Sequence, residues 1–142
     1  MNGLAQLRQH VGIDKQSAKE LDISKLLSIS ANIKAIHVKT HSYAKHMALD
    51  EAFEDLNESL DEFNECVQGY YRRKNGRRLK LRNNEISFKL PEDNKVFEAI
   101  EALEKEFRTA ASEVTDSDST LLSLKDNVIA NFYQLYYRLD LN

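Results

Sequence analysis

The chain is poor in residues that break or staple a fold. Among 142 residues there are one proline and four glycines. So few breakers exclude a many-stranded sandwich, which needs a turn about every ten residues, and favour long helices. The single cysteine, Cys66, excludes an internal disulfide framework and a cysteine-rich zinc site, and it fits a reducing compartment. No basic start is followed by an apolar run, so no secretory signal is expected. No apolar stretch approaches the roughly 20 residues of a membrane-spanning helix. The expected setting is a cytoplasm, or a particle assembled in one, without membrane contact.

Hydrophobic residues make up 42 % and charged residues 30 %, enough apolar surface for one domain core without metal or disulfide. The net charge of −3 is mild and selects no partner by itself. Residues 1–16 read as an N-terminal arm. A first helix is expected from about Ser17 to Thr40, with Leu26, Ile29, Ile33 and Ile36 on one face. Ser42 then caps a second helix from about Tyr43 to Tyr71, with Leu49, Phe53, Leu56, Leu60, Phe63 and Val67 as its core stripe. Asn75-Gly76 is a stop signal. Leu79 and Leu81, then Ile86, Phe88 and Leu90, alternate with polar residues around Asn83-Asn84, the pattern of a short β-hairpin. Pro91 is expected to start a third helix, with Val96, Ile100, Leu103 and Phe107 inward. The polar stretch Thr115–Thr120 caps a fourth, carrying Leu121, Leu124, Val128, Phe132, Leu135 and Leu139. The pattern therefore specifies an all-α, antiparallel four-helix bundle over residues 17–142, with residues 72–90 inserted as a basic hairpin.

One set of side chains has the chemistry of a metal site. At about 100° per residue, with His46 at zero, Asp50 falls near 40°, Asp61 near 60° and Glu65 near 100°. These four share a strip of the second helix, and Asn57 lies within it. His37 stacks over Ile33 and Leu26, so the expected strip of His37, His46, Asp50, Asp61 and Glu65 faces inward. Imidazole with carboxylate suits iron, zinc or manganese rather than copper(I) or an iron–sulfur cluster. The plainer alternative is equally physical. The second helix is acidic along its length, and most of its carboxylates form a solvated face. Paired histidines near a helix junction are often satisfied polar groups. No glycine-rich phosphate loop, GxSxG or Glu-x-x-His pair is present. Cys66 points roughly 100° away from Glu65 and reads as a small buried or interfacial thiol.

The segment Lys34-Ala-Ile-His37, followed by His41-Ser-Tyr-Ala-Lys-His-Met-Ala-Leu-Asp50 and closed by Asn57-Glu-Ser-Leu-Asp61-Glu-Phe-Asn-Glu65, resembles the starvation-inducible DNA-protection proteins (Dps), the miniferritins. The likeness covers about 35 residues, looks most like compact phage-encoded members, and extends loosely over residues 17–140. It implies a ferritin-like bundle that oxidises and sequesters Fe²⁺, a ferroxidase-type oxidoreductase if it is an enzyme, and that shields DNA. It further implies a homo-oligomer with a two-fold interface through the first two helices. In that arrangement His37 and His46 come from one subunit and Asp61 and Glu65 from its neighbour, with Asp50 as a further ligand or a support. The setting implied is the cytoplasm of a bacterial host, or alternatively a phage virion. This sequence departs from the family pattern in three ways. His37 and His46 are only nine residues apart, no tryptophan follows His37, and a basic segment occupies the connection that usually carries an interface helix.

That segment holds Arg72, Arg73, Lys74, Arg77, Arg78, Lys80 and Arg82, seven positive charges in eleven residues of an acidic protein. Three roles fit it: contact with nucleic-acid phosphates, docking on an acidic protein surface, or protection of a strand edge against aggregation. A rival to iron chemistry follows. The chain would be a non-catalytic structural or interaction protein of the same fold, for example a virion component, that uses the basic segment for assembly.

Overall fold

A computed structural model describes residues 19–141; the N-terminal arm expected over residues 1–16 lies outside them. Two short strands and four helices follow in the order β1 (Glu20–Asp22), α1 (Ile23–Lys39), α2 (Tyr43–Asn75), β2 (Lys80–Arg82), α3 (Val96–Ser112) and α4 (Ser119–Asp140).

Three of the four helices begin at a side-chain cap. Asp22 accepts the Lys25 N–H at the start of α1, Ser42 accepts the Lys45 N–H at the start of α2, and Asp118 accepts the Leu121 N–H at the start of α4. Helix α2 passes Gly69 without a break. It stops at Gly76, whose φ of 70° is left-handed and whose N–H reaches back to the Arg72 carbonyl. The first helix is six residues shorter at its start than expected, because residues 20–22 are drawn into a strand.

Contacts along the helices fix their directions. Ser30 bonds Asn57, and His37 lies beside Asp50, so α1 and α2 are antiparallel. Tyr71 bonds Asp116, Asn131 bonds Ser59 and Arg138 pairs with Glu51, so α2 and α4 are antiparallel. Arg108 reaches Tyr133, and Phe97 packs on Tyr136, which sets α3 against α4 in the same sense. Thr40 at the end of α1 holds Asp93 just ahead of α3, while Arg82 links Asp22 to Glu113 at the other end. The neighbours thus close a ring α1–α2–α4–α3. Helices α2 and α3 point the same way, so residues 76–95 must cross the full length of the helix layer.

The expected apolar stripes line the interior of this ring. Leu26, Ile29, Ile33 and Ile36, Leu49, Leu56, Leu60, Phe63 and Val67, Val96, Ile100, Leu103 and Phe107, and Leu121, Val128, Phe132, Leu135 and Leu139 are all buried. Phe63 and Phe107 meet edge to face at 5.3 Å between ring centres. Phe53 and Leu124 lie at the margin, half-buried.

The expected hairpin does not form. Lys80–Arg82 instead pairs in parallel with Glu20–Asp22, setting Leu81 opposite Leu21, and residues 83–92 belong to no strand. Length explains the difference. Helix α1 is about 25 Å long, and ten residues must be nearly extended to run beside it. A hairpin would fold the chain back and leave it short. Asn32, buried on α1, takes the place of a partner strand: its amide nitrogen donates to the Ser87 carbonyl at 3.1 Å, and its oxygen accepts the Lys89 N–H at 2.9 Å. Pro91 does not open α3 either. Its carbonyl accepts from Lys39, and Asp93 turns its carboxylate to the Thr40 hydroxyl and the His41 N–H, so α3 proper begins at Val96 after one 3₁₀ turn.

Candidate functional site

The three-residue turn between α1 and α2 sets two imidazoles face to face. His37 closes α1 and is buried; His46 lies one turn into α2 and is half-exposed. Their ring centres are 3.9 Å apart, tilted by 30°. The His46 Nδ1 lies 3.1 Å from the His37 carbonyl oxygen. A carbonyl can only accept, so Nδ1 carries a proton, and in the neutral ring Nε2 has the lone pair. Histidines that bind metals are commonly held this way, with the second ring nitrogen donating to a backbone carbonyl.

His37 is in a less comfortable position. It is only 8 % exposed, and neither of its ring nitrogens has a hydrogen-bond partner among the described residues. Asp50 Oδ1 is 3.5 Å from Nε2, too far for a good hydrogen bond but close enough to bias charge. Burial, the facing His46 ring and the Lys34 ammonium push the His37 pKa below its ordinary value, and Asp50 opposes them in part. Burial of His37 therefore favours the neutral ring, the form a cation can use.

Asp61 and Glu65 do not join this group. Both are exposed, as is Asp50, so the expected inward orientation of the strip is corrected. The buried stripe of α2 centres near 280° on the scale where His46 is zero, which puts Asp61 about 140° from the core and Glu65 opposite to it. Asp61 also stands eleven residues beyond Asp50 on one straight helix, about 16 Å along its axis. Among the described residues no three histidine, cysteine or acidic side chains gather closely enough to hold a metal ion. Asn57 spends its oxygen on Ser30, and Cys66 is exposed rather than buried.

The basic residues divide into two groups. Arg82 lies among Glu20, Asp22 and Glu113, and Lys80 sits 3.0 Å from Glu20. Lys74 reaches Asp116 at 3.3 Å and lies over the Tyr70 and Tyr71 rings. Arg72 folds back onto the Gly76 carbonyl. These four brace the ends of the helices. Arg73, Arg77 and Arg78 are exposed and make no ion pair among the described residues.

Sequence reasoning missed three positioning residues. Asn32 fastens the crossover. Asp93 ties it to the turn that carries the histidines, also accepting Lys45 at its backbone carbonyl, 2.6 Å away. Asp116, at a φ of 49°, gathers Lys19, Tyr71 and Lys74 at the far end. Asp93 and Asp116 signal themselves only as short polar side chains next to helix boundaries, and Asn32 only as a polar residue in the middle of α1.

Among the described residues no helix is long and apolar enough to cross a membrane. No solved structure matches the chain. A protein of Enterobacteria phage T4, described as an "Uncharacterized 14.6 kDa protein in mobD-ri intergenic region", is 28 % identical over 127 residues, spanning 89 % of this chain and 91 % of that one. Residues 37–139, from the first histidine of the pair to the last turn of α4, match the family of unknown function DUF5856, and the chain belongs to that family.

Proposed function

We propose that the protein is a ferritin-like, Dps-type iron protein whose His37, His46 and Asp50 form one half of an Fe²⁺ site, with Asp61 and Glu65 of a second copy as the other half. The observation that carries this reading is the buried His37, whose two ring nitrogens lack hydrogen-bond partners beside a His46 whose tautomer leaves Nε2 open. An orphaned buried imidazole costs stability, about 1–3 kcal/mol, unless something binds it. The helix order supports the same reading, since antiparallel neighbours with one long crossover are the ferritin-like arrangement.

Two imidazoles and a carboxylate suit Fe²⁺, with zinc or manganese as substitutes. Iron here is the substrate. Fe²⁺ loses one electron, and a peroxide molecule takes one from each of two such ions and, with two protons, becomes water. The chain's own residues bind and orient the ion. His46 is aligned by the His37 carbonyl, His37 is kept unprotonated by its burial, and Asp50 balances charge. On this reading the exposed Asp61 and Glu65 serve a neighbour's half-site, in an antiparallel pairing of two α2 helices centred at about residue 55.

Anaerobic titration with Fe²⁺ followed by peroxide should give a saturable ferric absorbance. The double variant His46→Ala, Asp61→Ala should lose it while keeping its helical signal. An undiminished absorbance in that variant would refute the iron reading.

A second reading rests on the crossover and on the phage relative. Residues 83–92 carry no interface helix, and they leave Ile86, Phe88 and Leu90 between 38 % and 59 % exposed. This favours a non-catalytic interaction protein, such as a virion component, in which the histidines are relict. Native mass with metal analysis on one sample separates the two. Iron that copurifies with an oligomer supports the first, and a metal-free chain that binds virion protein supports the second.

A further inference from the structure

A run of aromatic rings lies open along the groove between α3 and α4. Phe97 packs on Tyr136 at 4.8 Å between ring centres, and Tyr136 lies 6.5 Å from Tyr133. Phe97, Tyr133 and the neighbouring Tyr137 are nevertheless 43 % to 66 % exposed. Large rings left open to water side by side mark a surface made for a partner rather than for the core.

The charges around these rings are unequally matched. Glu104 is spent on Arg108 and on the Tyr136 hydroxyl, and Glu98 faces Lys95. Burial, Glu104 and Glu101 push the Tyr136 pKa up, which puts Glu101 beside that ring, yet Glu101 makes no ion pair among the described residues. Asp140, one turn beyond Tyr136, makes none either. Open rings with free carboxylates suit a guanidinium, whose plane stacks on a ring while its edge meets a carboxylate.

The chain carries that complement at its other end. Arg73 lies in the last turn of α2, and Arg77 and Arg78 lie between left-handed Gly76 and buried Leu79. All three are exposed and make no ion pair among the described residues. Tyr71 meets Asp116 at this end, ahead of α4, whereas Phe97 opens α3 and Tyr137 lies near the close of α4. One copy therefore cannot bring its own two surfaces together. Pairing like with like would oppose carboxylates or arginines, so the match is tip to face.

We propose that the arginine tip of one copy, Arg77 and Arg78 foremost, docks on the α3–α4 face of a second copy, against Phe97, Tyr137, Glu101 and Asp140. A second copy is the favoured occupant because this chain itself supplies the unpaired guanidinium groups that complement the face. The α3–α4 face lies across the ring α1–α2–α4–α3 from the α1–α2 face. The contact thus neither rests on the iron reading nor competes with it.

Sedimentation velocity over a concentration series at about 50 mM salt, where charges are less screened than at physiological strength, tests the contact. Wild type should associate increasingly as its concentration rises. Arg77→Glu with Arg78→Glu should abolish that rise, and so should Glu101→Arg with Asp140→Arg. An equimolar mixture of the two variants should regain it, because each offers the other a surface of opposite charge. Regained association also shows that both variants are folded, and circular dichroism checks their helices separately. A pair formed through α1 and α2 would persist in both variants, so failure of the iron reading and failure of this contact are told apart. Variants that associate as wild type does overturn the proposal, as does a mixture that stays silent. A wild type without this self-association overturns it too, even where an arginine-rich peptide binds the face, since the occupant is then a different protein.

Discussion

His37 shows how one residue can serve a site at the expense of the fold. Its imidazole is desolvated by the ends of α1 and α2 yet receives no hydrogen bond in return among the described residues. Leucine there would remove the unpaired polar atoms and keep an apolar contact with the core. His37→Leu should therefore raise stability by about 1 kcal/mol, read as a higher urea midpoint with unchanged m-value, while Fe²⁺ uptake falls. A lower midpoint would mean that the ring is satisfied in the folded protein and is no strained ligand. The residue was legible as a candidate because its spacing stacks it over Ile33 and Leu26. Its orphaned state was not, since that depends on what the opposing helix fails to supply.

At the scale of elements, the helices were legible and the connection between α2 and α3 was not. Periodicity at 3.6 residues reports a face buried along a whole helix, and Leu49, Leu56, Leu60, Phe63 and Val67 make that face plain. Alternation over Ile86, Phe88 and Leu90 reports only that the chain is extended. It cannot say whether a strand or a single buried asparagine both donates to it and accepts from it. Asn32→Ala should leave the Ser87 carbonyl and the Lys89 N–H without their partner and cost about 2–3 kcal/mol. Amide hydrogen exchange should accelerate at Lys89 before it does so in α2; equal acceleration throughout would show that Asn32 is no local clasp. The β1–β2 pair has a different dependence. Burial raises the Asp22 pKa, but the Ser24 hydroxyl, the Lys25 N–H and Arg82 outweigh it and hold the carboxyl below the usual range. A depressed carboxylate contributes stability that is present above the unfolded value near 3.9 and is lost as pH falls through the folded value. Asp22→Asn should thus flatten the decline in thermal midpoint between about pH 4 and pH 2 and lower the midpoint at pH 7. A decline as steep as that of wild type would remove Asp22 from the acid transition.

The whole molecule raises the question of how far one chain can go toward the proposed site. The strip was read as inward because its members share a side of α2. That reading fixed their mutual angles but not the angle of the core, which lies about 140° from Asp61 and opposite Glu65. Outward carboxylates about 16 Å (Asp61) and about 22 Å (Glu65) along the helix from Asp50 cannot reach the histidines of their own chain, so sharing between copies is a strict geometrical demand of the iron reading. Mixing two inactive variants tests that demand directly. His46→Ala lacks an imidazole and Asp61→Ala lacks a carboxylate, and each alone should be silent on addition of Fe²⁺ and peroxide. A two-fold pair made of one of each contains one site with both defects and one with none. Co-refolding equal amounts should therefore restore about one quarter of the wild-type ferric absorbance, because half of the pairs are mixed and each mixed pair has one intact site. Native mass spectrometry must show the mixed pairs in the same sample. Mixed pairs that remain silent would mean that His46 and Asp61 never meet across an interface, and the shared iron site would fail with them, leaving the histidine pair as a feature of the α1–α2 turn alone.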